Sequence, residues 1–312
     1  MNPQDTIFVA GADTLIGGAI VRQLRRQGFA RIVGAEQDAP DLTDAAAVEA
    51  FFARTKPACV FVAAGKSGGI SANQKYPADL MLNNLLVISH VLASAHRHGA
   101  AKLLYLASSC IYPKQCPQPM SIASLMTGPM EPTSEPYAMA KMAGIKLCQA
   151  YRRQHGAHFI SGIPADVFGP GCKFNPEDSH VVPALMLKMH EAKKSGVGSI
   201  EVWGTGQPRR EFIFADDVAD ACIFVMNGYD DAEPINLGGG ADLSIREAAE
   251  TIRRIVGYTG DLRFDTSKPD GALLKRLDSS RLLAMGWRPA VSFEKGLQAT
   301  YQSLLERESS RK

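Results

Sequence analysis

A doubly wound parallel α/β sheet followed by a smaller α/β lobe is the fold class this chain predicts, and three features predict it. Short apolar runs of strand length alternate with amphipathic stretches of helix length through the first half of the chain. The first apolar run ends at a glycine that opens directly into a helical pattern, as in a strand, tight turn and helix built to approach a phosphate. Beyond about residue 165 the alternation loosens into shorter elements, interrupted by Gly169-Pro170-Gly171, Lys173-Phe174-Asn175-Pro176 and Gly204-Thr205-Gly206-Gln207-Pro208.

Taken in order, the first strand is expected over 6–10, stopping at Gly11, and the first helix over 15–27, closing at Gly28. A second strand follows at 31–35. Asp41-Leu42-Thr43-Asp44 then supplies a turn and a helix start, with the helix running to about 53 and a third strand at 59–63. Long helices are expected over 79–98 and 137–155, separated by a strand at 103–107 and a Pro-rich loop over 112–136. Pro136 falls in a first turn, where a helix tolerates proline, and Ser134 is a candidate cap. Regular strand-helix-strand order implies right-handed parallel crossovers. The dinucleotide-type (Rossmann-type) domain is assigned to 1–165 and the substrate lobe to 166–312, the two partly interleaved because the change of pattern falls near the sheet's later strands. The last residues, 308–312, read as a polar tail.

With 312 residues, 46% of them hydrophobic, the chain can bury a full core. A formal net charge of +2 gives no global field for nucleic acid or an anionic membrane. No apolar stretch reaches the roughly 20 residues of a spanning helix, and the N-terminus lacks the pattern of a signal peptide, so a cytoplasmic location is expected. The six cysteines are scattered, without a Cys-x-x-Cys pair or a histidine at zinc spacing. Neither a disulfide framework nor a metal is assigned. Asp216-Asp217 are adjacent on a helix start and diverge, which suits capping better than metal binding.

The chemistry begins with Tyr137 and Lys141. At i and i+4 they share a helix face, where an ammonium beside a phenol eases formation of the phenolate. The run 103–107 ends in Ser108-Ser109-Cys110, and a hydroxyl delivered there can hold the same substrate oxygen that the phenol protonates. Such a trio suits hydride transfer at a carbinol or ketone. The plain alternative is a solvated helix face; the upstream strand and the N-terminal turn favour catalysis. In that turn, Gly11-Ala12-Asp13-Thr14-Leu15-Ile16-Gly17 keeps the first and last glycines of a Gly-x-x-Gly-x-x-Gly run, with Thr14 in the middle. At the adenosine ribose the candidates are Asp13, Glu36 and Gln37, none basic, a pattern that leans toward NAD(H).

Several further motifs occur in order: Gly68-Gly69-Ile70, Ala72-Asn73, Tyr76-Pro77-Ala78-Asp79, Ser108-Ser109-Cys110-Ile111-Tyr112-Pro113, Glu131-Pro132, Tyr137-Ala138, Ala140-Lys141, Ser179-His180-Val181, Val202-Trp203-Gly204, Arg210-Glu211-Phe212 and Ser267-Lys268-Pro269-Asp270-Gly271. With these the chain resembles the extended short-chain dehydrogenase/reductases and, more narrowly, the GDP-L-fucose synthase family of 3,5-epimerase/4-reductases. The resemblance covers the chain almost end to end. It implies a Rossmann lobe for NADP(H), a C-terminal lobe for a GDP-sugar, and a homodimer joined through long helices of the larger lobe. It assigns Tyr137 to polarise the C4 ketone and then protonate the alkoxide, Ser108 to position that oxygen, and Lys141 to support the phenol and hold the nicotinamide ribose. Cys110 and His180 correspond to the epimerisation pair; a thiol and an imidazole, with ordinary pKa values of about 8.5 and 6.5, suit proton removal and return near neutral pH. Lys188, Trp203, Arg210 and Lys275 correspond to nucleotide-sugar contacts, a wall for the base and cations for the diphosphate, although a solvated face also accounts for the two lysines. The chain departs from the family at Thr14, usually glycine; near Asp13 and Gln37, where bacterial members carry arginines; and at Pro164-Ala165-Asp166, usually Pro-Thr-Asn. The last departure leaves open another GDP-4-keto hexose or heptose as substrate. A dinucleotide-binding sensor without turnover is the reading from another class.

Overall fold

The computed structural model describes residues 1–35, 38–175, 179–268 and 270–310. The first half of the chain runs β1 (Ile7–Ala10), α1 (Leu15–Arg26), β2 (Ile32–Val33), α2 (Ala45–Thr55), β3 (Cys59–Val62), α3 (Ile70–Lys75), α4 (Pro77–Arg97), β4 (Lys102–Leu106), α5 (Glu135–His155) and β5 (Phe159–Pro164). The second half runs β6 (Asp166–Phe168), α6 (Val181–Ser195), β7 (Ser199–Trp203), β8 (Arg209–Arg210), β9 (Phe212–Phe214), α7 (Ala215–Gly228), β10 (Ile235–Leu237), β11 (Leu243–Ser244), α8 (Ile245–Val256), β12 (Asp261–Asp265), β13 (Leu274–Lys275), α9 (Ser280–Ala284) and α10 (Phe293–Ser309).

Six strands form the main sheet in the order β2-β1-β3-β4-β5-β10, and every pairing is parallel. Strands β1, β3 and β5 are buried along their whole length, as a sheet covered on both faces requires. Phe8 of β1 meets Phe51 and Phe52 of α2 with ring centroids 4.7 and 5.5 Å apart. Because β2 and β3 flank β1 on opposite sides, the carboxyl ends of β1 and β3 form the topological switch point, where open α/β sheets bind ligands.

The second strand is shorter than the sequence suggests. Gly34 turns at φ +71°, and a Cβ there would stand 2.4 Å from the Phe8 ring, so the backbone leaves the sheet. Ser134 occupies the cap position of α5, yet its side chain makes no capping bond; its φ/ψ of −125°/10° is not the extended geometry in which a cap hydroxyl reaches back. The apolar content of α4 also corrects an expectation. At 21 residues it is, by length and composition, apolar enough to cross a membrane. In the fold it is a core helix: Leu80, Val87, Ile88, Val91, Leu92 and Ala95 are buried, and it packs against α5, α2 and β3.

A second hydrophobic core gathers Phe168, Met186, Met189, Ile200, Ile252 and Leu297 between α6, α8, α10 and the small sheets. Its strands pair as β7 with β12, β6 with β9, and β8 between β11 and β13. The chain does not stay in this lobe once it enters it. Following β9, α7 packs on α1 and β10 joins β5 in the main sheet, before β11 returns to the second lobe.

Candidate active site

The turn after β1 closes by backbone contact. Gly11 adopts φ +85°, and a Cβ on it would lie 2.6 Å from Ala64 Cα; a Cβ on Gly17 would lie 1.9 Å from the Gly11 carbonyl oxygen. Glycine is therefore required at both positions. Thr14 substitutes chemically for the absent middle glycine. Its hydroxyl donates to Gly11 O at 2.7 Å and accepts from Gly17 N at 3.1 Å, capping α1. The amides of Leu15 and Ile16 donate to no acceptor among the described residues. Free N–H groups at the start of a 12-residue helix, beside the switch point, fit a dinucleotide's pyrophosphate.

Asp13 is exposed beside this turn, whereas Glu36 and Gln37 lie outside the described residues. Next to them, Asp38 accepts a hydrogen bond from Gly34 N at 3.3 Å. Arg31, the nearest cation along the second strand, sits at the amino end of β2, away from the carboxyl ends where the switch point opens.

The second group of residues is positioned by one close helix-strand contact. A Cβ on Gly144 of α5 would stand 2.4 Å from the Tyr105 ring of β4, and Tyr105 OH donates to Lys141 O at 3.2 Å. This seats α5 directly over the strand whose end carries Ser108 and Cys110. Ser108 caps the 3-10 turn Ser109–Ile111, and its hydroxyl lies beside the Tyr137 phenol, close enough to act on its pKa. Tyr137 is 9% exposed; burial lifts its phenol well above its ordinary range, the charge of Cys110 adds to this, and the Ser108 hydroxyl opposes it. The phenol is thus a protonated donor at neutral pH.

Lys141 shares a helix face with Tyr137. Its ammonium lies 6.0 Å from the centre of the Tyr137 ring and donates to Leu106 O at 3.2 Å. Burial lowers its pKa to about 8, and the same burial, rather than the ammonium, governs the phenol.

Across from these groups stands the wall of the second lobe. Lys275 Nζ is 4.0 Å from Cys110 Sγ and 3.6 Å from Asp166 Oδ1. Arg210, its register partner on β8, donates to Arg209 O at 2.8 Å and Ala272 O at 2.6 Å. Burial lowers the Arg210 pKa, while Asp166 and Asp270 work against that. Trp203 is 69% exposed, with the Lys268 ammonium 5.9 Å from its ring centre. Lys188 is exposed and donates to Glu201 O. His180 is exposed at the N-cap position of α6, without a capping bond. The fold therefore brings together Ser108, Cys110, Tyr137, Lys141 and Lys275, while Lys188, Trp203 and His180 sit on the exposed face of the second lobe. Asp216 and Asp217 do diverge: Asp216 pairs with Arg22 and Arg26, and Asp217 accepts from Ala290 N and Val291 N.

Two partners were not assigned as site residues from the sequence. In the sequence Asp166 stands out only as a departure from an amide. Glu211, 1% exposed, accepts from Gly240 N at 2.7 Å and Leu277 N at 2.8 Å, tying down the segment that carries Lys275. An acidic residue set between Arg210 and Phe212, where two short strands meet, was the available signal for it.

Residues 7–238 match the NAD dependent epimerase/dehydratase family. GDP-L-fucose synthase 1 of Arabidopsis thaliana is 51% identical over 300 residues, spanning 96% of this chain and 93% of that protein. A GDP-L-fucose synthetase from Naegleria fowleri, solved with NADP bound, superposes with a TM-score of 0.91 at 28% identity, covering 99% of this chain and 97% of that chain. A GDP-6-OMe-4-keto-L-xylo-heptose reductase from C. jejuni superposes with a TM-score of 0.92 at 29% identity, covering 98% and 99%.

Proposed function

Because the chain belongs to the NAD dependent epimerase/dehydratase family, we propose that it catalyses the GDP-L-fucose synthase reaction: 3,5-epimerisation of GDP-4-keto-6-deoxy-D-mannose followed by NAD(P)H-dependent reduction at C4. The observation that carries this reading is a buried, protonated Tyr137 beside Ser108, with Cys110 on the same turn as that serine. A reductase alone needs no thiol there.

In this reading Tyr137 and Ser108 hold the C4 carbonyl oxygen, which acidifies the hydrogens on C3 and C5. Cys110 takes a proton from one face of the sugar, and His180 returns one from the other. Bound NAD(P)H supplies the hydride that turns the C4 ketone into an alcohol. Tyr137 delivers the proton to the resulting alkoxide, and Lys141 holds the nicotinamide ribose. Gly11, Leu15, Ile16 and Gly17 hold the pyrophosphate, while Lys188, Trp203 and Arg210 receive the GDP portion. A homodimer through α4 and α5 and a cytoplasmic location belong to the same reading; Leu82 of α4 and Met139 of α5, exposed at 58% and 45%, support the dimer.

The test is turnover of GDP-4-keto-6-deoxy-D-mannose in deuterated water. Deuterium at C3 and C5 of a reduced product is the expected result, and a reduced product without deuterium overturns the epimerase half. In Cys110→Ser, deuterium incorporation falls by about 100-fold or more, the scale of a lost acid/base group, while reduction of an already epimerised 4-keto sugar persists. Equal loss of both activities would remove Cys110 from that role. A second reading, reduction of a different GDP-4-keto sugar, is favoured by Asp166 in place of the usual amide; a panel of 4-keto hexoses and heptoses separates the two.

Cofactor preference follows from the ribose end. Asp13 and Asp38, the described residues near the ribose positions, are acidic, and Arg31 sits at the amino end of β2, away from the switch point. The kcat/KM values for NADPH and NADH are expected to lie within about tenfold of each other, roughly 1.4 kcal/mol. A much stronger NADPH preference in steady-state kinetics would contradict this.

A further inference from the structure

We propose that Lys275, held in place by Asp166, is a positioning residue that keeps Cys110 as a thiolate, an inference that rests on the epimerase-reductase reading above. A thiol removes a proton from carbon only as its anion, so a group charged with that task needs a nearby cation. Lys275 Nζ lies between Cys110 Sγ, at 4.0 Å, and Asp166 Oδ1, at 3.6 Å. Among the described residues no other cation is recorded in contact with the thiol. The Lys141 ammonium is committed to Leu106 O, and Arg210 to the carbonyls of Arg209 and Ala272. The remaining groups facing Cys110 from its surroundings are the Tyr137 phenol and the Ser108 hydroxyl, whose oxygen accepts from Cys110 N at 3.3 Å.

The lysine's backbone is fixed as firmly as its head group. Lys275 O accepts from Glu211 N at 3.2 Å, and two residues later Leu277 N donates to the Glu211 carboxylate. Burial works to lower the Lys275 pKa, but Asp166 and then Cys110 outweigh it, so the pKa is raised and the ammonium stays charged. In the reaction the thiolate accepts one proton from the sugar and becomes a neutral thiol, the electron pair passing to the C4 enolate oxygen held by Tyr137. Protonation of the opposite face of the carbon restores the ketone, and exchange with water restores the thiolate. Lys275 transfers no proton; its charge sets the resting state of its neighbour.

The test alkylates the ligand-free full chain with iodoacetamide between pH 6 and 9 and quantifies the Cys110 peptide by mass spectrometry. Lys275→Met is expected to slow Cys110 alkylation at pH 7 by about tenfold or more and to move its rate-pH profile toward alkaline pH. Lys275→Arg restores most of the rate, and Asp166→Asn, which frees the ammonium without removing it, slows alkylation less than Lys275→Met. Labelling of the buried Cys148 and Cys222 reports any unfolding, in which case Lys275→Gln carries the comparison. Equal Cys110 rates in the wild type and an uncharged variant overturn the proposal. That failure leaves the epimerase-reductase reading standing, because no sugar is present; wild-type protein without turnover fails that reading while the thiol measurement keeps its meaning.

Discussion

Replacing Tyr137 by Phe is expected to lower C4 reduction by about 1,000-fold, within the range for removing a positioned general acid. The reason lies in the protonation state. Burial keeps the phenol protonated, and the neighbouring Ser108 hydroxyl works the other way, toward the phenolate. The ring remains packed in the variant, so the fold is unchanged and only the donor is lost. Deuterium incorporation at C3 and C5 should fall less, since Ser108 still holds the enolate oxygen. The two rates are separable by following NAD(P)H absorbance and product NMR in deuterated water. Reduction within tenfold of wild type would show that another group protonates the alkoxide.

Lys141→Met is expected to make the ligand-free protein more stable and to abolish turnover. Lys141 is 6% exposed, and burial lowers its pKa from 10.5 to about 8. The unfolded chain therefore binds more protons than the folded one between those two values, so stability rises as pH rises from about 8 to 10.5. Below pH 8 the folded protein bears the full cost of a buried ammonium, about 3 kcal/mol for a displacement of this size. The bond to Leu106 O, worth about 1 kcal/mol, is also lost in the variant, leaving a net gain of roughly 2 kcal/mol at pH 7. Urea denaturation at pH 7 and at pH 10 checks both parts: the Met variant should lead at pH 7, and the gap should narrow at pH 10. A Met variant less stable than wild type at pH 7 would mean that the ammonium's local partners outweigh its desolvation.

The framework of the sheet was legible because its strands are short, wholly apolar and separated by amphipathic helices; 59–63 and 103–107 needed no tertiary information. Boundaries failed where a single backbone angle decided them, as at Gly34, or where a hydroxyl's presence did not guarantee a cap, as at Ser134. The Tyr137–Lys141 spacing put both residues on one buried helix face, but spacing carries no dielectric constant. Desolvation overrode the expected charge-charge effect and turned each pKa the other way. Thr14 read as a defect in the glycine run; only the position of its hydroxyl, between Gly11 O and Gly17 N, makes it a cap. Lys275 read as a diphosphate cation. Its neighbours Asp166 and Cys110 are far from it in sequence, so their convergence is a product of topology and no local pattern announces it. Gly144 carried a faint signal, a glycine inside an otherwise strong helix, and its purpose emerges only against the Tyr105 ring.

The excursion of α7 and β10 back to the large sheet has an evolutionary and engineering corollary. The smaller lobe is not a module that can be exchanged with one cut. Chimeras made between relatives by crossing over at residue 165 would pair one parent's α1 with the other's α7 and one parent's β5 with the other's β10. Swapping specificity without mismatching those contacts takes two separate grafts, 166–214 and 239–310, so new substrates in such a scaffold arise more readily by point substitution than by shuffling whole segments.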